Sequence, residues 1–538
     1  LTSAGQLRTS LRSGSLSVRM PENFYIATAI DYTNSAPHIG HAYEKILADV
    51  IARYHRLKGD DVFFLTGVDQ HGQKVQQSAE KQGLAPAEFV ADVTKKFTAL
   101  WQKLDVRYDG WAATTEARHK QCVQKILQHL FEQGQLYKAK QGGYYSVRQE
   151  QFLTDKERAP DGEFGPEWGE VEFREEENYY FKLARHKEWL LALVDARADL
   201  IHPEFRRAEL RNAVEKLGGD LCISRPKSRL SWGIELPFDP EFVTYVWFDA
   251  LVNYISFAPG DYSPDSPDLS EFRRWWPALI VIGKDILIPA HGIYWMIMLH
   301  ALGFSENDMP SLLVHGWWNI GGAKMSKSLG NVADPDALAD KYGAEAVRYY
   351  LMSDIVTGRD ADFSEERLVL RYNNDLANSL GNLLNRTLNM AQRYCGGSLE
   401  ISDAAHPTLQ TLKGEVQAVV NTYDNWATNF AVDAALTGAI FLAGRCNQII
   451  ERDAPWKLAK DSSRKSDLSA LLYGLAEALR VIAILISPVT PKAARGIFSQ
   501  LNWDKEFRFA DVTWGGLPHG HIVGAPVPLF PRIETEKR

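Results

Sequence analysis

One short motif with the chemistry to bind a nucleotide lies near the start of the chain, where residues 37–41 read PHIGH. We expect a strand to end and a helix to begin here, and a helix start binds anions through its unpaired N–H groups and positive dipole end. Gly40 lets a nucleotide approach the backbone closely, while His38 and His41 can donate hydrogen bonds to phosphate oxygens. Taken alone, the tetrapeptide favours an ordinary pair of surface histidines at a helix start.

A second motif, KMSKS at residues 324–328, has two lysines three positions apart on a segment flanked by glycines. Lys324 and Lys327 can close over a triphosphate and neutralise the charge that grows on the leaving pyrophosphate. The alternative for this segment by itself is a solvated basic loop. The two motifs occur in one chain, and their combination carries more weight than either motif alone.

The hydrophobic pattern around both motifs predicts alternating strands and helices. Residues 24–29 and 62–66 are apolar, strand-like runs, and between them apolar residues recur every three or four positions. Further apolar runs at 279–283 and 312–315 would complete the sheet. We therefore predict an α/β fold with a doubly wound, Rossmann-like parallel sheet. Both motifs fall where ligands bind such sheets, at the carboxyl ends of strands.

Changes in composition along the chain predict its domains. Residues 137–239 are richer in glycine, proline and charge, which predicts an inserted connective domain, whereas nearly all apolar residues from 365 to 501 have helical spacing. The predicted segments are a disordered tail or targeting segment (1–19), a first catalytic half (20–118), the inserted connective domain (119–240), a second catalytic half (241–320), the KMSKS region (321–375) and an all-α helical bundle (376–538).

Charge and cysteine content indicate the cellular compartment of the protein and do not indicate its function. The net charge of −8 neither indicates nor excludes a nucleic-acid partner, since local basic faces can still hold phosphates. The four cysteines are far apart, so neither a structural zinc site nor a disulfide framework is expected, and no metal ligands are assigned. We predict a reduced, cytoplasmic setting, and no apolar run reaches the ~18 residues of a membrane span.

The first residues leave one alternative open. Residues 1–19 contain three arginines and several serines but no acidic residue, which would suit an organellar transit peptide. The interpretation that we favour is a disordered tail before an internal start at Met20.

The HIGH and KMSKS motifs together are the signature of class I aminoacyl-tRNA synthetases, and the chain resembles the methionyl-tRNA synthetase family of that class. The resemblance covers the chain from about Tyr25 to its end. The segments that carry it are AIDY (29–32), LTGVDQHG (65–72), YVWFDAL (245–251), IGKDI (282–286), LGNLLNR (380–386) and APWK (454–457).

The resemblance implies that the chain uses ATP with Mg²⁺ to activate L-methionine as methionyl-adenylate, and then loads it onto tRNA(Met), including the initiator. It makes 321–375 a stem-contact region and 376–538 an anticodon-binding domain. The residues it implies are catalytic His38, His41, Lys324 and Lys327; ATP-binding Gly40, Gly283 and Asp285; methionine-binding Ile30, Tyr32, Asp69, Trp247, Ala250, Tyr254 and His291; and anticodon-binding Asn382, Arg386 and Trp456.

The chain departs from the family pattern in three places. Residues 143–150 contain no cysteine where many relatives have zinc knuckles, so structural zinc is not expected. Asp31 stands where Tyr or Pro is common, and one extra residue near 288–291 affects the assignment of His291. The chain also ends without the additional C-terminal domain that some relatives use to dimerise, which favours a monomer.

Other functions fit the sequence less well. Leucyl, isoleucyl and valyl enzymes carry a large editing insert, and the stretch between the two motifs leaves little room for one. Cysteinyl enzymes need zinc-ligating cysteines in the active site. A small HxGH nucleotidyltransferase lacks the helical half. A catalytically silent, synthetase-like binding protein remains, and the intact motif histidines and lysines argue against it.

Overall fold

The computed structural model describes residues 21–148, 151–153, 157–159, 161–325, 332–401 and 405–534. The chain begins with the predicted alternation of strands and helices. These first elements are β1 (Asn23–Thr28), β2 (Asp31–Tyr32), α1 (Ile39–Leu57), β3 (Asp61–Asp69), α2 (Gln73–Lys81), α3 (Pro86–Lys103), β4 (Gly110–Ala113) and α4 (Ala117–Glu132).

The inserted region follows, with short antiparallel strands around two helices. Its elements are β5 (Leu136–Ser146), β6 (Gln151–Leu153), β7 (Val171–Phe181), α5 (Lys187–Ala196), β8 (Ile201–His202), α6 (Glu204–Glu215), β9 (Leu221–Cys222), β10 (Ser224–Pro226), β11 (Glu235–Leu236) and β12 (Asp239–Thr244). They form a four-stranded sheet in the order β6-β5-β7-β9 and a three-stranded sheet in the order β10-β12-β11.

The chain then returns to the catalytic fold. The next elements are α7 (Val246–Leu251), α8 (Asn253–Ser256), α9 (Ser270–Trp275), β13 (Leu279–Gly283), α10 (Met296–Ala301), β14 (Ser311–His315), β15 (Trp318–Ile320), β16 (Ala323–Lys324), α11 (Pro335–Tyr342), α12 (Ala344–Ser353), β17 (Ala361–Asp362) and α13 (Glu365–Arg371). A π-helical segment, Leu287–Trp295, interrupted by a kink at Ile288, leads into α10.

The main sheet has seven strands, and all of its pairings are parallel. Its order is β3-β1-β13-β14-β8, and both β2 and β4 pair with β3. The chain leaves β1 towards β3 on one side and later adds β13 on the other, so the topological switch point lies between β1 and β13. The predicted doubly wound sheet is confirmed. The interval predicted as an insertion also contributes β8, the edge strand of this sheet.

Strand periodicity divides the catalytic half into two cores, because successive side chains point to opposite faces of a sheet. Ile26 and Val281 belong to the core that contains α1 and the C-terminal helices. Tyr25, Ala27 and Ile282 belong to the core that contains the helices after the insertion. The helical half of the chain therefore shares the core on the α1 side of the catalytic sheet.

The C-terminal half is helical, with one small β-pair. After a second π-helical segment, Tyr372–Gly381, its elements are α14 (Asn382–Cys395), β18 (Ser398–Leu399), α15 (Pro407–Thr428), α16 (Val432–Asp453), α17 (Pro455–Leu458), α18 (Lys465–Ile486), α19 (Pro491–Gln500) and β19 (His521–Ile522).

Helix α18 is the centre of this bundle. Within the described part of the chain, the segment Ser462–Ile486 alone is long and apolar enough to cross a membrane, and its apolar window is buried inside the protein. The helix also contains a buried ion pair, in which the Arg480 guanidinium donates to the Glu477 carboxylate over 2.6 Å. Helix α18 is therefore the core helix of the bundle.

Candidate active site

Two adjoining cavities open at the carboxyl edge of the main sheet, at its switch point. The first, about 350 Å³, is lined by His38, Gly40 and His41, and we call it the HIGH cavity. The second, about 440 Å³, is lined by Asp69 and Trp247, and we call it the Asp69 cavity. The two cavities share part of their wall. The shared residues are Ala29, Ile30, Tyr32, His41, Asp285 and Ile286.

The two histidines of the HIGH motif cap the start of α1 reciprocally. His38 Nδ1 accepts from the Gly40 backbone N–H over 3.0 Å, and the His38 backbone N–H donates to His41 Nδ1 over 3.1 Å. Each neutral ring must then carry its proton on Nε2, which makes both rings hydrogen-bond donors. We expected open backbone amides at this helix start, but the Gly40 amide is occupied by His38. The imidazole rings therefore supply the motif's donors to this cavity.

Glycines leave room for the functional side chains on both sides of the HIGH cavity. A Cβ atom on Gly40 would lie 2.9 Å from Cε1 of His38, which is too close for the capping ring to keep its place. A Cβ atom on Gly283 would lie 2.7 Å from the Asp285 carboxylate. Gly283 ends β13, so Asp285 projects from the carboxyl end of a strand beside the switch point.

A buried cluster of charged side chains lies at the floor of the HIGH cavity. The fully buried Lys45 ammonium donates to Asp31 and to Glu44, each over 2.8 Å, and to the Ala29 carbonyl over 2.7 Å. The second carboxylate oxygen of Glu44 lies 3.1 Å from His315 Nε2. Burial raises the pKa of Asp31 to about 7 despite the neighbouring Lys45. The ion pair with Lys45 thus stabilises Asp31, an acidic residue at the position where relatives have Tyr or Pro.

The Asp69 cavity has an acidic rim and an aromatic interior. Asp69 ends β3, and its Oδ1 accepts from the His71 backbone N–H over 3.4 Å. The structure places the whole predicted methionine set around this one cavity. Its members are Ile30, Tyr32, Asp69, Trp247, Ala250, Tyr254 and His291.

His291 is held as a neutral ring inside this cavity. Its Nδ1 lies 2.9 Å from the Ile286 carbonyl and must donate to it, so Nε2 accepts from the Tyr254 hydroxyl over 2.8 Å. Burial lowers the pKa of His291 to about 4. The extra residue noted near 288–291 lies at a kink, where Ile288 has an extended backbone (φ −117°, ψ 124°), and His291 still faces the cavity.

The described start of the KMSKS segment reaches the HIGH cavity through Met325. Strand β16 ends at Lys324, and the next residue, Met325, lines the HIGH cavity. Lys327 lies outside the described residues, and only the backbone of Lys324 is described. The predictions for these two lysines therefore remain predictions, supported by the position of Met325.

Comparison with known proteins decides the family. The sequence model for class I (M) tRNA synthetases matches residues 24–161 and 168–388, and the model for the anticodon binding domain of methionyl tRNA ligase matches residues 400–538. The chain belongs to the methionyl-tRNA synthetase family.

Individual relatives resemble the chain along most of its length. The methionine–tRNA ligase of Lactococcus lactis is 40% identical over 531 residues, which cover 96% of this chain and 79% of the relative. That of Deinococcus radiodurans is 41% identical over 525 residues, covering 95% and 75%. A solved structure of Mycobacterium tuberculosis methionyl-tRNA synthetase in complex with methionyl-adenylate superposes with a TM-score of 0.88, at 35% identity, covering 95% of this chain and all of that one.

The residues that the methionyl-tRNA synthetase resemblance assigns to the anticodon lie on the surface of the helical half. Asn382 is exposed at the start of α14, and Trp456 is 38% exposed at the start of α17. Arg386 is half-buried and donates to Glu451 near the end of α16 over 2.6 Å. Asn382 is therefore not a core residue, and the Trp456 ring is only partly covered.

Several cavity residues were missed by the sequence analysis. His315 and Trp317 line the HIGH cavity, and Lys74 lines the Asp69 cavity. His315 could have been found, because it ends a predicted strand at the edge where parallel sheets bind ligands. Trp317 and Lys74 follow such strand ends by a few residues, and no spacing rule singles them out.

Proposed function

We propose that this methionyl-tRNA synthetase forms methionyl-adenylate where the two cavities meet. ATP occupies the HIGH cavity, and L-methionine occupies the Asp69 cavity. The observation that supports this arrangement is the shared wall of Ile30, Tyr32, His41 and Asp285. A carboxylate in one cavity can then attack an α-phosphate in the other without a protein nucleophile, because positioning and charge stabilisation suffice.

Methionine recognition combines one ionic contact with an apolar interior. The Asp69 carboxylate binds the α-ammonium, and a thioether packs well against aromatic edges such as those of Trp247 and Tyr254. His291 stays neutral at physiological pH because burial lowers its pKa to about 4. A neutral, internally bonded wall favours an uncharged side chain over a lysine or glutamate of similar length.

ATP recognition combines the two histidines, the β13 loop and the KMSKS lysines. The Nε2–H groups of His38 and His41 donate to phosphate oxygens, and Gly283 and Asp285 contact the ribose. Lys324 and Lys327 neutralise the departing pyrophosphate. Mg²⁺ arrives with ATP as part of the substrate complex.

The loaded amino acid is then transferred to tRNA(Met), including the initiator. We assign 376–538 to anticodon binding and 321–375 to contact with the tRNA stem. Trp456 and Asn382 present a stacking face and a hydrogen-bonding amide at the surface, the two means by which proteins read unpaired RNA bases. We expect a monomeric, cytoplasmic enzyme, and sedimentation of the purified chain tests the monomer.

The deciding experiment is ATP–pyrophosphate exchange measured with each of the twenty amino acids, followed by charging of tRNA with a CAU anticodon. We expect exchange with methionine alone and charging of that tRNA. A folded chain that binds methionine and ATP but shows no exchange would instead be the synthetase-like binding protein.

We also expect no structural zinc. Among the described residues, no group of three or more His, Cys, Asp or Glu side chains is arranged to hold a metal ion, and the four cysteines are free and apart. Elemental analysis of the purified chain should find less than stoichiometric zinc, and activity should survive a zinc chelator. One tightly held zinc per chain would contradict this expectation.

A further inference from the structure

We propose that Asp249 is a positioning residue for the methionine ammonium site, which holds the Asp69 carboxylate in place through His71. The inference rests on the proposed function, because it adds a buried support to the carboxylate that binds the ammonium group. Asp249 lies on α7 between Trp247 and Ala250, two residues that line the Asp69 cavity. Its own side chain points away from that cavity into the protein.

Asp249 is the centre of a fully buried chain of hydrogen bonds. Its Oδ2 lies 2.7 Å from His71 Nδ1, and its Oδ1 lies 2.8 Å from His119 Nε2. The other ring nitrogen of His119 lies 2.7 Å from the Ser256 hydroxyl. Asp249 and His119 have no solvent exposure, and His71 has 2%. Both carboxylate oxygens thus accept from imidazole N–H donors. Loss of one partner would leave a buried polar group unpaired, which is costly.

Asp249 is ionised in this network. Burial by itself would raise the pKa of its carboxyl group, but the neighbouring His71 and His119 outweigh burial and hold this pKa below its usual range. A carboxylate accepts from both histidines at once, whereas an amide in its place could accept from only one of them. The charge and the second acceptor distinguish aspartate from every neutral residue of its size.

The network ends at the carboxylate that the proposed function assigns to the ammonium group. The His71 backbone N–H donates to Asp69 Oδ1, and the His71 ring is the part of the same residue that Asp249 holds. The turn after β3 is also held from its other side, since Trp232 Nε1 donates to the Gln70 carbonyl over 2.5 Å. We expect displacement of His71 to move this donor and, with it, the Asp69 carboxylate.

The same network sets the width of the Asp69 cavity. Asp69 ends β3 and His71 follows it, while Trp247 and Ala250 are on α7, and Asp249 connects these two walls. Methionine must reach the ammonium site on one wall and the aromatic surface on the other at the same time. A residue that fixes the separation of the walls therefore affects methionine and leaves the ATP site unchanged.

The test measures ATP–pyrophosphate exchange for Asp249→Asn and His71→Leu beside the unchanged enzyme. Each variant should raise the KM for methionine by about 10- to 100-fold, the scale for misplacing a substrate contact by about 1 Å. The KM for ATP should change by less than about 2-fold. His71→Asn should recover most of the loss, because its Nδ2 takes the place of the histidine Nδ1 and donates to Asp249.

Two methionine analogues show whether the ammonium site is the part affected. Methioninol keeps the ammonium group and lacks the carboxylate, so its inhibition of exchange should weaken in parallel with methionine binding. 4-(Methylthio)butanoate keeps the thioether and lacks the ammonium group, so its inhibition should be unchanged. Equal weakening of both analogues would overturn the proposal and make Asp249 a packing residue.

A matched control is Glu477→Gln, which changes another fully buried, ion-paired carboxylate in the helical half. It should lower the melting temperature and leave both KM values unchanged. Asp249→Asn and His71→Leu remove opposite partners of one hydrogen bond, so either variant, if it folds, is enough to test the positioning role of Asp249. Parallel rises in both KM values would overturn the proposal. Absence of methionine-dependent exchange in the unchanged enzyme would instead refute the proposed function.

Discussion

The catalytic half and the helical half arrange their candidate residues in opposite ways. In the catalytic half, residues from separate segments converge on two adjoining cavities, and Asp69, Tyr254 and His291 among them are buried and hydrogen-bonded within the protein. In the helical half, Asn382 and Trp456 are exposed at helix starts, and Arg386 has an ion-pair partner at the surface. Chemistry at an α-phosphate needs groups that are fixed before the substrate arrives, whereas reading a tRNA loop needs surfaces that the RNA can reach.

The two halves are nevertheless connected through a buried arginine, Arg348, in the region between them. Arg348 on α12 donates to Asp49 on α1 over 2.6 Å, and both side chains are fully buried. The same guanidinium donates to the carbonyls of Leu104 and Val489, so it connects the catalytic half to the turn between α18 and α19. Helix α1 begins at the HIGH motif, so this contact ties the helix that carries the histidines to the bundle.

The largest effect should come from breaking this junction. Arg348→Met should lower the free energy of unfolding by about 3 kcal/mol, the lower end for a broken buried pair, because Asp49 keeps its contact with Arg53. Denaturant unfolding measures the change. Arg445→Met removes a partly exposed ion pair in the helical bundle and should cost less than about 1 kcal/mol. Equal effects for the two variants would contradict a special role for the junction.

The next effect separates the chemistry from substrate binding. Lys327→Ala should slow methionine activation by about 10²- to 10³-fold, the scale for losing one preorganised charge contact, with little change in methionine affinity. Pre-steady-state adenylate formation measures the rate. Lys95→Ala, which removes an exposed lysine from α3, should leave activation unchanged. Unchanged activation in Lys327→Ala would remove this residue from the mechanism.

A smaller effect should be confined to the helical half. Trp456→Ala should weaken charging of tRNA with a CAU anticodon by roughly 10- to 100-fold, because stacking on one unstacked base contributes about 1–3 kcal/mol. ATP–pyrophosphate exchange and the melting temperature should stay nearly unchanged. Phe441→Ala, at another exposed aromatic of the bundle, is the control and should retain charging. Loss of exchange and charging together in a destabilised Trp456 variant would make this residue part of the packing.

The last prediction concerns acid stability. Burial lowers the folded-state pKa of His291 to about 4, below the ~6.5 of an unfolded histidine, so protons bind the unfolded chain preferentially. The stability from neutral His291 is complete above pH 6.5 and is lost as the pH falls towards 4. His291→Asn should therefore flatten the stability–pH curve in this window.

His186 is the control, because burial also lowers its pKa to about 4 but it lies outside both cavities. His186→Asn should flatten the stability–pH curve without raising the KM for methionine. An unchanged slope in both variants would contradict the assigned pKa values.

Local sequence patterns predicted the parts of this molecule that depend on near neighbours. The apolar runs at 279–283 and 312–315 became β13 and β14, because a buried parallel strand needs apolar side chains on both faces. The spacing of apolar residues also predicted the helix after the HIGH motif. Periodicity alone would have made Trp247 and Tyr254 ordinary core residues, and only the family-specific segments assigned them to methionine binding.

The remaining features depend on pairs that are distant in the sequence. Strand β8 is two residues long and joins the main sheet only because β14 offers a free edge within the described fold. His71 and Asp249 are 178 positions apart, and His315 and Glu44 are 271 apart, so no local pattern relates them. The sequence by itself determined the class of chemistry, the sheet and the helical half. The tertiary structure alone decided that the two cavities share a wall and that Asp249 supports Asp69, because burial and hydrogen-bond geometry arise only when distant segments pack together.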